Sequence, residues 1–146
     1  GGILTSAAEM DYNRIVMSSP RGTWAVRFGD DIQADNESGF ISTVQTLAAA
    51  TIISGNGYVQ VHPKGISLVG RAEPMTWTHP QQRPITAADC NCQQVVAGFD
   101  NGGIMAFDFG LSGAEFNMVC NLPTFPNIRC VSIAPRTATG SPGEFA

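Results

Sequence analysis

Apolar and polar residues alternate along this chain in short runs, and a repeat at helical spacing is hard to find. The pattern predicts strands over Arg14–Ser18 and Thr23–Phe28 on either side of the turn Pro20-Arg21-Gly22. Gly29-Asp30-Asp31 then leads into a short strand at Ile32–Ala34. Val44–Ile53 comes nearest to a helical pattern. It ends, however, in the β-branched Thr51, Ile52 and Ile53 and runs into Gly55-Asn56-Gly57, so a buried strand and a tight hairpin are expected. Tyr58–His62 alternates cleanly, with Tyr58, Gln60 and His62 on one face and Val59 and Val61 on the other. Pro63-Lys64-Gly65 turns into Ile66–Val69, and Met75–Thr78 closes this group.

A second group repeats the layout. Strands are predicted at Ile85–Cys90, Gln93–Gly98, Ile104–Phe109 and Glu115–Cys120, separated by turn residues such as Asp100-Asn101-Gly102-Gly103. Ile128–Ala134 reads as the first strand of a third group, and the stretch from Pro135 reads as loop, with a C-terminal tail whose origin the pattern does not settle. The first strands of successive groups are 37 positions apart (Ala48 to Ile85) and then 43 (Ile85 to Ile128). Four-stranded propeller blades repeat at about 40–45 residues. No strict motif recurs, and periodicity alone fits a propeller and a β-sandwich equally. On the propeller reading, residues 1–46 hold the end of one blade and a linker. Residues 47–84 and 85–127 form a blade each, and 128–146 start the next. Two blades with flanking parts cannot close a ring, so the segment is expected to belong to a longer propeller chain.

Composition narrows the function. Of 146 residues, 43% are hydrophobic and only 14% charged, well under the roughly 25% common in soluble domains, which implies a surface largely covered by something else. Eight basic against 12 acidic residues, with no basic run, argue against direct binding of a nucleic-acid backbone. Cys90, Cys92, Cys120 and Cys130 do not combine with His62 or His79 at metal-ligand spacing. No metal site and no cofactor are expected, and the cysteines read as buried free thiols. Gly1–Ala8 lacks the basic start and apolar run of a signal peptide, so cytoplasm or nucleus is expected.

Three stretches carry a resemblance. Ser38-Gly39-Phe40-Ile41 is followed by a strand and then by Gly57-Tyr58-Val59-Gln60-Val61-His62-Pro63-Lys64-Gly65-Ile66. Trp77 precedes Pro84-Ile85-Thr86-Ala87-Ala88. Gln93-Gln94-Val95-Val96-Ala97 precedes Gly102-Gly103-Ile104-Met105-Ala106-Phe107. In this order they resemble a family of large multi-propeller scaffolds. Its members include the propeller subunit of splicing factor 3b, the large subunit of the cleavage and polyadenylation specificity factor, and the large subunit of the damaged-DNA-binding complex. The similarity runs from about Asn13 to Ala134 and is strongest to the splicing member, while Cys90-Asn91-Cys92 and the Pro-rich link from Leu122 to Pro126 depart from the pattern. The resemblance implies an all-β fragment of consecutive propeller blades. It also implies a nuclear scaffold in pre-mRNA splicing that holds other protein subunits of a large ribonucleoprotein or adaptor complex. A polyadenylation scaffold and a cullin ubiquitin-ligase adaptor are the alternatives within the family.

No catalytic constellation emerges, so no enzyme and no small-molecule substrate are expected, and a propeller enzyme is the minor alternative. Asp89 and Asp108 lie in predicted strands without a nearby His and should serve turn amides or face solvent. Ser54 sits in a hairpin, not a nucleophile elbow, and Gly98–Gly103 lacks the Lys of a phosphate cradle. Trp24 and Trp77 are expected in the core or between blades, with exposed aromatic anchors as the alternative, and Phe107 and Phe109, on one strand face, against the next blade. The most polar loop, Gln81-Gln82-Arg83, is the candidate interface.

Overall fold

A computed structural model describes residues 6–11, 14–53, 55, 57–110, 116–122 and 131. Among them there is no helix. Twelve strands form three four-stranded antiparallel sheets, each a simple meander. The first sheet holds β1 (Ser6–Asp11), β2 (Arg14–Ser19), β3 (Gly22–Phe28) and β4 (Ile32–Ala34). The second holds β5 (Ala48–Thr51), β6 (Tyr58–His62), β7 (Gly65–Val69) and β8 (Met75–Trp77). The third holds β9 (Ile85–Cys90), β10 (Gln94–Phe99), β11 (Ile104–Asp108) and β12 (Asn117–Leu122). The first strands β1, β5 and β9 lie side by side, while β4, β8 and β12 are the far edges. That is the placement expected of wedges around an axis.

The hairpins explain themselves locally. His62 pairs with Gly65 across the two-residue Pro63-Lys64 loop, and Phe99 N–H donates to Gly103 O at 2.9 Å around Asp100-Asn101-Gly102. The alternation at Tyr58–His62 is realised, but every residue of β6 is buried, because both faces of the middle sheet are covered. Its Val59, Val61, Ile66 and Leu68 face Ile85, Val95, Ala97, Phe99, Phe107 and Phe109 of the third sheet in one apolar layer. Trp77 reaches across from β8 to Phe107, with ring centroids 4.6 Å apart. Full burial of each such large side chain is worth about 1.5–3 kcal/mol. On its other face the middle sheet meets the first through Tyr58, Val69 and Val16.

Several expectations change. The strand expected over Val44–Ile53 shrinks to Ala48–Thr51, because the preceding residues run as a linker between the first two sheets. Ser6–Asp11 is a strand the pattern did not predict. The last strand of the third sheet begins later than expected, at Asn117. Phe107 and Phe109 pack back onto the preceding sheet, since their strand face points that way. Trp24 is 49% exposed, on the free face of the first sheet, whereas Trp77 is packed as expected. Cys90, Cys92 and Cys120 are free but only half-buried. The strand expected at Ile128–Ala134 lies outside the described residues apart from Val131.

The linker is seated by a contact between two glycines. Gly39 has φ +84° and a Cβ there would stand 2.5 Å from Gly70 N, while a Cβ on Gly70, at φ +68°, would stand 2.5 Å from Ser38 O. Both backbones approach where a side chain would sit, which gives the Ser38-Gly39-Phe40 stretch its physical reason. Gly55 also has a positive φ, +75°, but its Cβ position is open. Gly55→Ala should therefore cost only the left-handed strain of ~1–2 kcal/mol. Gly39→Ala adds a backbone clash and should cost ~2–5 kcal/mol. Denaturant midpoints of the propeller carrying each substitution measure the difference, and equal losses would refute the close-approach argument.

Candidate functional site

The linker at residues 35–47 runs along the seam of the first two sheets, with Asp35, Ser38 and Thr46 buried and residues 36, 37, 39, 42 and 43 exposed. Gln60, fully buried in the centre of β6, reads its backbone. The Gln60 Oε1 accepts from Ile41 N–H at 2.9 Å, and its Nε2 donates to Ile41 O at 3.1 Å and to Thr46 Oγ1 at 2.9 Å. Thr23 Oγ1 donates to Val44 O at 2.7 Å and lies 2.6 Å from Thr46 Oγ1. Because the Thr23 proton is committed to Val44, Thr46 must donate to Thr23. The protons therefore run one way, from Gln60 to Thr46 to Thr23 to the Val44 carbonyl. Ser18 Oγ accepts from Thr46 N–H at 2.7 Å, tying β2 into the same network.

A second anchor lies lower in the same cleft. The Asp35 carboxylate is buried, with Arg14 Nε at 3.0 Å and Arg27 at 3.6 Å, and Arg14 also donates to the Tyr58 hydroxyl of the middle sheet. Phe40 stacks on Tyr58 at 5.2 Å. Beyond Gln60, His62 Nε2 lies 2.9 Å from Ser67 Oγ, which lies 2.9 Å from Thr76 Oγ1. Burial, and then the Lys64 charge, hold His62 below the ordinary histidine pKa, so it stays neutral when folded.

These groups tie the sheets, the linker and the turns together, and Thr23, Asp35 and Phe40 also line an open cleft of about 590 Å³ beside the linker. The Asp89 Oδ1 accepts from Cys90 N–H at 2.9 Å. Asp108 Oδ1 accepts from Gly110 N–H at 2.7 Å, and both Asp108 oxygens take the Gln93 amide at 3.1 Å. Both acids thus serve turns, as expected. Although Cys90 as a residue is half-buried, desolvation of its thiol, and then the Asp89 charge, push that thiol well above its usual range. Among the described residues, no three His, Cys, Asp or Glu side chains gather closely enough to hold a metal ion.

Gln81, Gln82 and Arg83 all stand exposed on the loop joining β8 to β9. That loop is rigid. Gln82 N–H donates to His79 O at 2.9 Å, and Gln81 N–H donates to His79 Nδ1 at 3.0 Å. The His79 ring packs on Phe99 at 4.9 Å. Gln82 sits at φ +55°, a left-handed conformation shared by no other non-glycine among the described residues. Arg83 pairs with Asp100 at 3.6 Å, and Asp100 N–H bonds Pro84 O at 3.1 Å. Ile85 N–H bonds Pro63 O at 2.9 Å, which brings the Lys64 turn alongside. Sequence reasoning found this loop by its polarity but missed its ordering. It also missed the Gln60–Thr46–Thr23 network, for which a Gln at mid-strand opposite a Ser/Thr-rich linker was the available signal.

Residues 5–141 match the family described as the RSE1/DDB1/CPSF1 second beta-propeller. The chain belongs to that family. It is 36% identical over 100 residues to the pre-mRNA-splicing factor RSE1 of Pyricularia oryzae, covering 68% of this chain and 8% of that protein. Over 126 residues it is 29% identical to the pre-mRNA-splicing factor prp12 of Schizosaccharomyces pombe, covering 83% and 10%. Over 124 residues it is 30% identical to spliceosome-associated protein 130 A of Arabidopsis thaliana, again covering 83% and 10%. The chain therefore spans 8–10% of the length of these relatives. Its three sheets are part of a β-propeller, not a closed sandwich.

Two measurements check the network. Gln60→Leu leaves the Ile41 amide groups and Thr46 without their buried partner and should cost about 2–5 kcal/mol. Gln60→Glu, nearly the same shape, should be at least as damaging, since a carboxylate cannot donate to Ile41 O. A midpoint unchanged in both variants would refute the role. For His62, the folded pKa lies below the unfolded value of about 6.5. The unfolded chain therefore takes up a proton first as pH falls, and stability present above about pH 6.5 is lost below it. His62→Gln should flatten this acid-side loss between pH 7 and 5; denaturant midpoints of the two proteins across that window test it.

Proposed function

We propose that this chain is a protein-binding section of a splicing scaffold, acting in the nucleus as part of a subunit that holds other proteins together and performs no catalysis itself. The observation that carries this reading is the set of relatives named as splicing factors, joined to a geometry made of interlocked sheets with rigid loop tips. The physical rationale is that loops ordered before contact lose little entropy on binding. We take residues 47–84 and 85–127 as two blades, 1–46 as a sheet with its linker, and 128–146 as the start of the next blade. The apolar free face of the first sheet, where Trp24, Phe28 and Ile32 are exposed, would then be covered by a preceding blade of the longer chain.

Gln81, Gln82 and Arg83 are the proposed contact residues for a protein subunit. Their loop is exposed, polar and fixed in shape by His79, and mutation there leaves the buried network untouched. Affinity capture with the full-length protein should return other pre-mRNA splicing subunits. The triple change Gln81→Ala, Gln82→Ala, Arg83→Glu should lower recovery of at least one of them severalfold while leaving the thermal midpoint unchanged. Recovery of a cullin or of polyadenylation factors instead would replace the splicing assignment. Unchanged recovery from the triple variant would remove the loop from the interface.

A further inference from the structure

Beside the Gln81–Arg83 loop lies a pocket of about 140 Å³, lined by His79, Gln81, Phe99, Asn101, Gly103, Met105 and Asn121. Its size suits one side chain. Phe99 and Met105 give it apolar lining, and no acid lines it. The polar lining is biased toward donors. His79 Nδ1 accepts the Gln81 N–H, so the neutral ring keeps its proton on Nε2. Asn101 Oδ1 is occupied by Gly103 N–H at 3.0 Å, which leaves its NH2 group as the free end. The side-chain amides of Gln81 and Asn121 can each present a further donor. Asp100, the sole exposed carboxylate among the loop residues 79–84 and 99–103, is offset by Arg83 at 3.6 Å, and Lys64 stands on the turn whose Pro63 carbonyl bonds Ile85 N–H.

We propose that this pocket receives an acidic side chain, Asp or Glu, from an extended segment of a protein partner. The methylene groups would lie against Phe99 and Met105 and the carboxylate among the His79, Asn101 and Asn121 donors. A carboxylate so held gains several charge-assisted hydrogen bonds without ordering the loop. The left-handed Gln82 fits this role, because strained backbone held rigid by its surroundings is a means of pre-organisation. Phosphate of RNA is the weaker fit. The neighbouring cations are few, and the rings beside the loop are engaged with each other, His79 half-buried on the buried Phe99. The proposal rests on the reading of Gln81–Arg83 as a protein contact and names the chemistry of what is bound there.

The test titrates the full-length protein into a fluorescein-labelled, Glu-rich peptide and into the same peptide with every Glu replaced by Gln, followed by fluorescence polarisation. The Glu peptide should bind at least tenfold more tightly than the Gln peptide. Asn101→Asp keeps the acceptor for Gly103 N–H but adds a negative charge, and it should weaken the Glu peptide at least tenfold. Equal binding of the two peptides to the wild-type protein overturns the proposal without any variant. So does unchanged binding by Asn101→Asp, or displacement of the peptide by an equimolar single-stranded RNA oligonucleotide. If the Gln81/Gln82/Arg83 variant loses a partner subunit while the two peptides bind alike, the interface stands and the acidic recognition falls. If neither changes, both fall.

Discussion

A single primary amide, that of Gln60, does for the linker what a neighbouring strand would otherwise do. It accepts from one peptide N–H and donates to the carbonyl of the same residue, Ile41, as a β-partner would. This solves a problem set by the topology. The chain must travel from the far edge of one sheet to the inner strand of the next. Here it does so along the seam between them, turning inward at Ser38 and Thr46, where unpaired buried backbone groups would each cost about 1–3 kcal/mol. Gln60, Thr46, Thr23 and Ser18 satisfy those groups, and the fixed direction of their protons leaves little freedom for another arrangement. The buried network is complete enough to specify how the two sheets sit, which is when such networks favour a unique structure.

The two inter-sheet contacts are therefore built on different physics. Between the second and third sheets an apolar layer excludes water and supplies most of the packing energy, with Trp77 and Phe107 crossing the seam. Apolar layers are strong but tolerant of small slips. Between the first and second sheets the linker, the Asp35 ion pairs and the Gln60 network set position by directed bonds. Paired with two arginines and bonded to Glu37 N–H at 3.2 Å, the buried Asp35 carboxylate meets the requirement that a buried charge be compensated. One seam supplies adhesion, the other registration.

Much of the fold was legible from residues whose local preference and tertiary role agree. Tyr58–His62 alternates because it lies between two different neighbours, and its strand limits matched. The hairpins at Pro63-Lys64 and Asp100-Asn101-Gly102 were legible because turn chemistry is local. What was missed depends on distant partners. Ser6–Asp11 has no strong β pattern of its own and is a strand because β2 offers an edge to pair with. Residues 44–47 look like strand, yet Thr46 and Val44 turn toward Ser18 and Thr23 instead. Trp24 was expected inside because large aromatic residues usually are, but the face it occupies is one that this stretch of chain does not cover. The candidate loop was found by polarity alone. Its order comes from the His79 ring on Phe99, a contact no pattern in the sequence displays.

The division of labour among the residues bears on function. Nearly every ionisable or nucleophilic group inside the sheets is already engaged in holding a turn, a linker or a neighbouring strand, as Asp89, Asp108 and Asp35 are. The positions of those turns and of the linker therefore depend on these groups. At the loop Gln81–Arg83 the backbone is held by His79, the Gln81 and Gln82 side chains stand exposed, and Arg83 pairs with Asp100. A surface with rigid backbone and uncommitted polar side chains is suited to recognition, and its reliability depends on the blades beneath it not shifting. The Gln60 network, far from that loop, prevents such shifts at one seam and the Trp77–Phe107 layer at the other. Internal polarity is, in this arrangement, what seats the linker against the sheets and closes the turns.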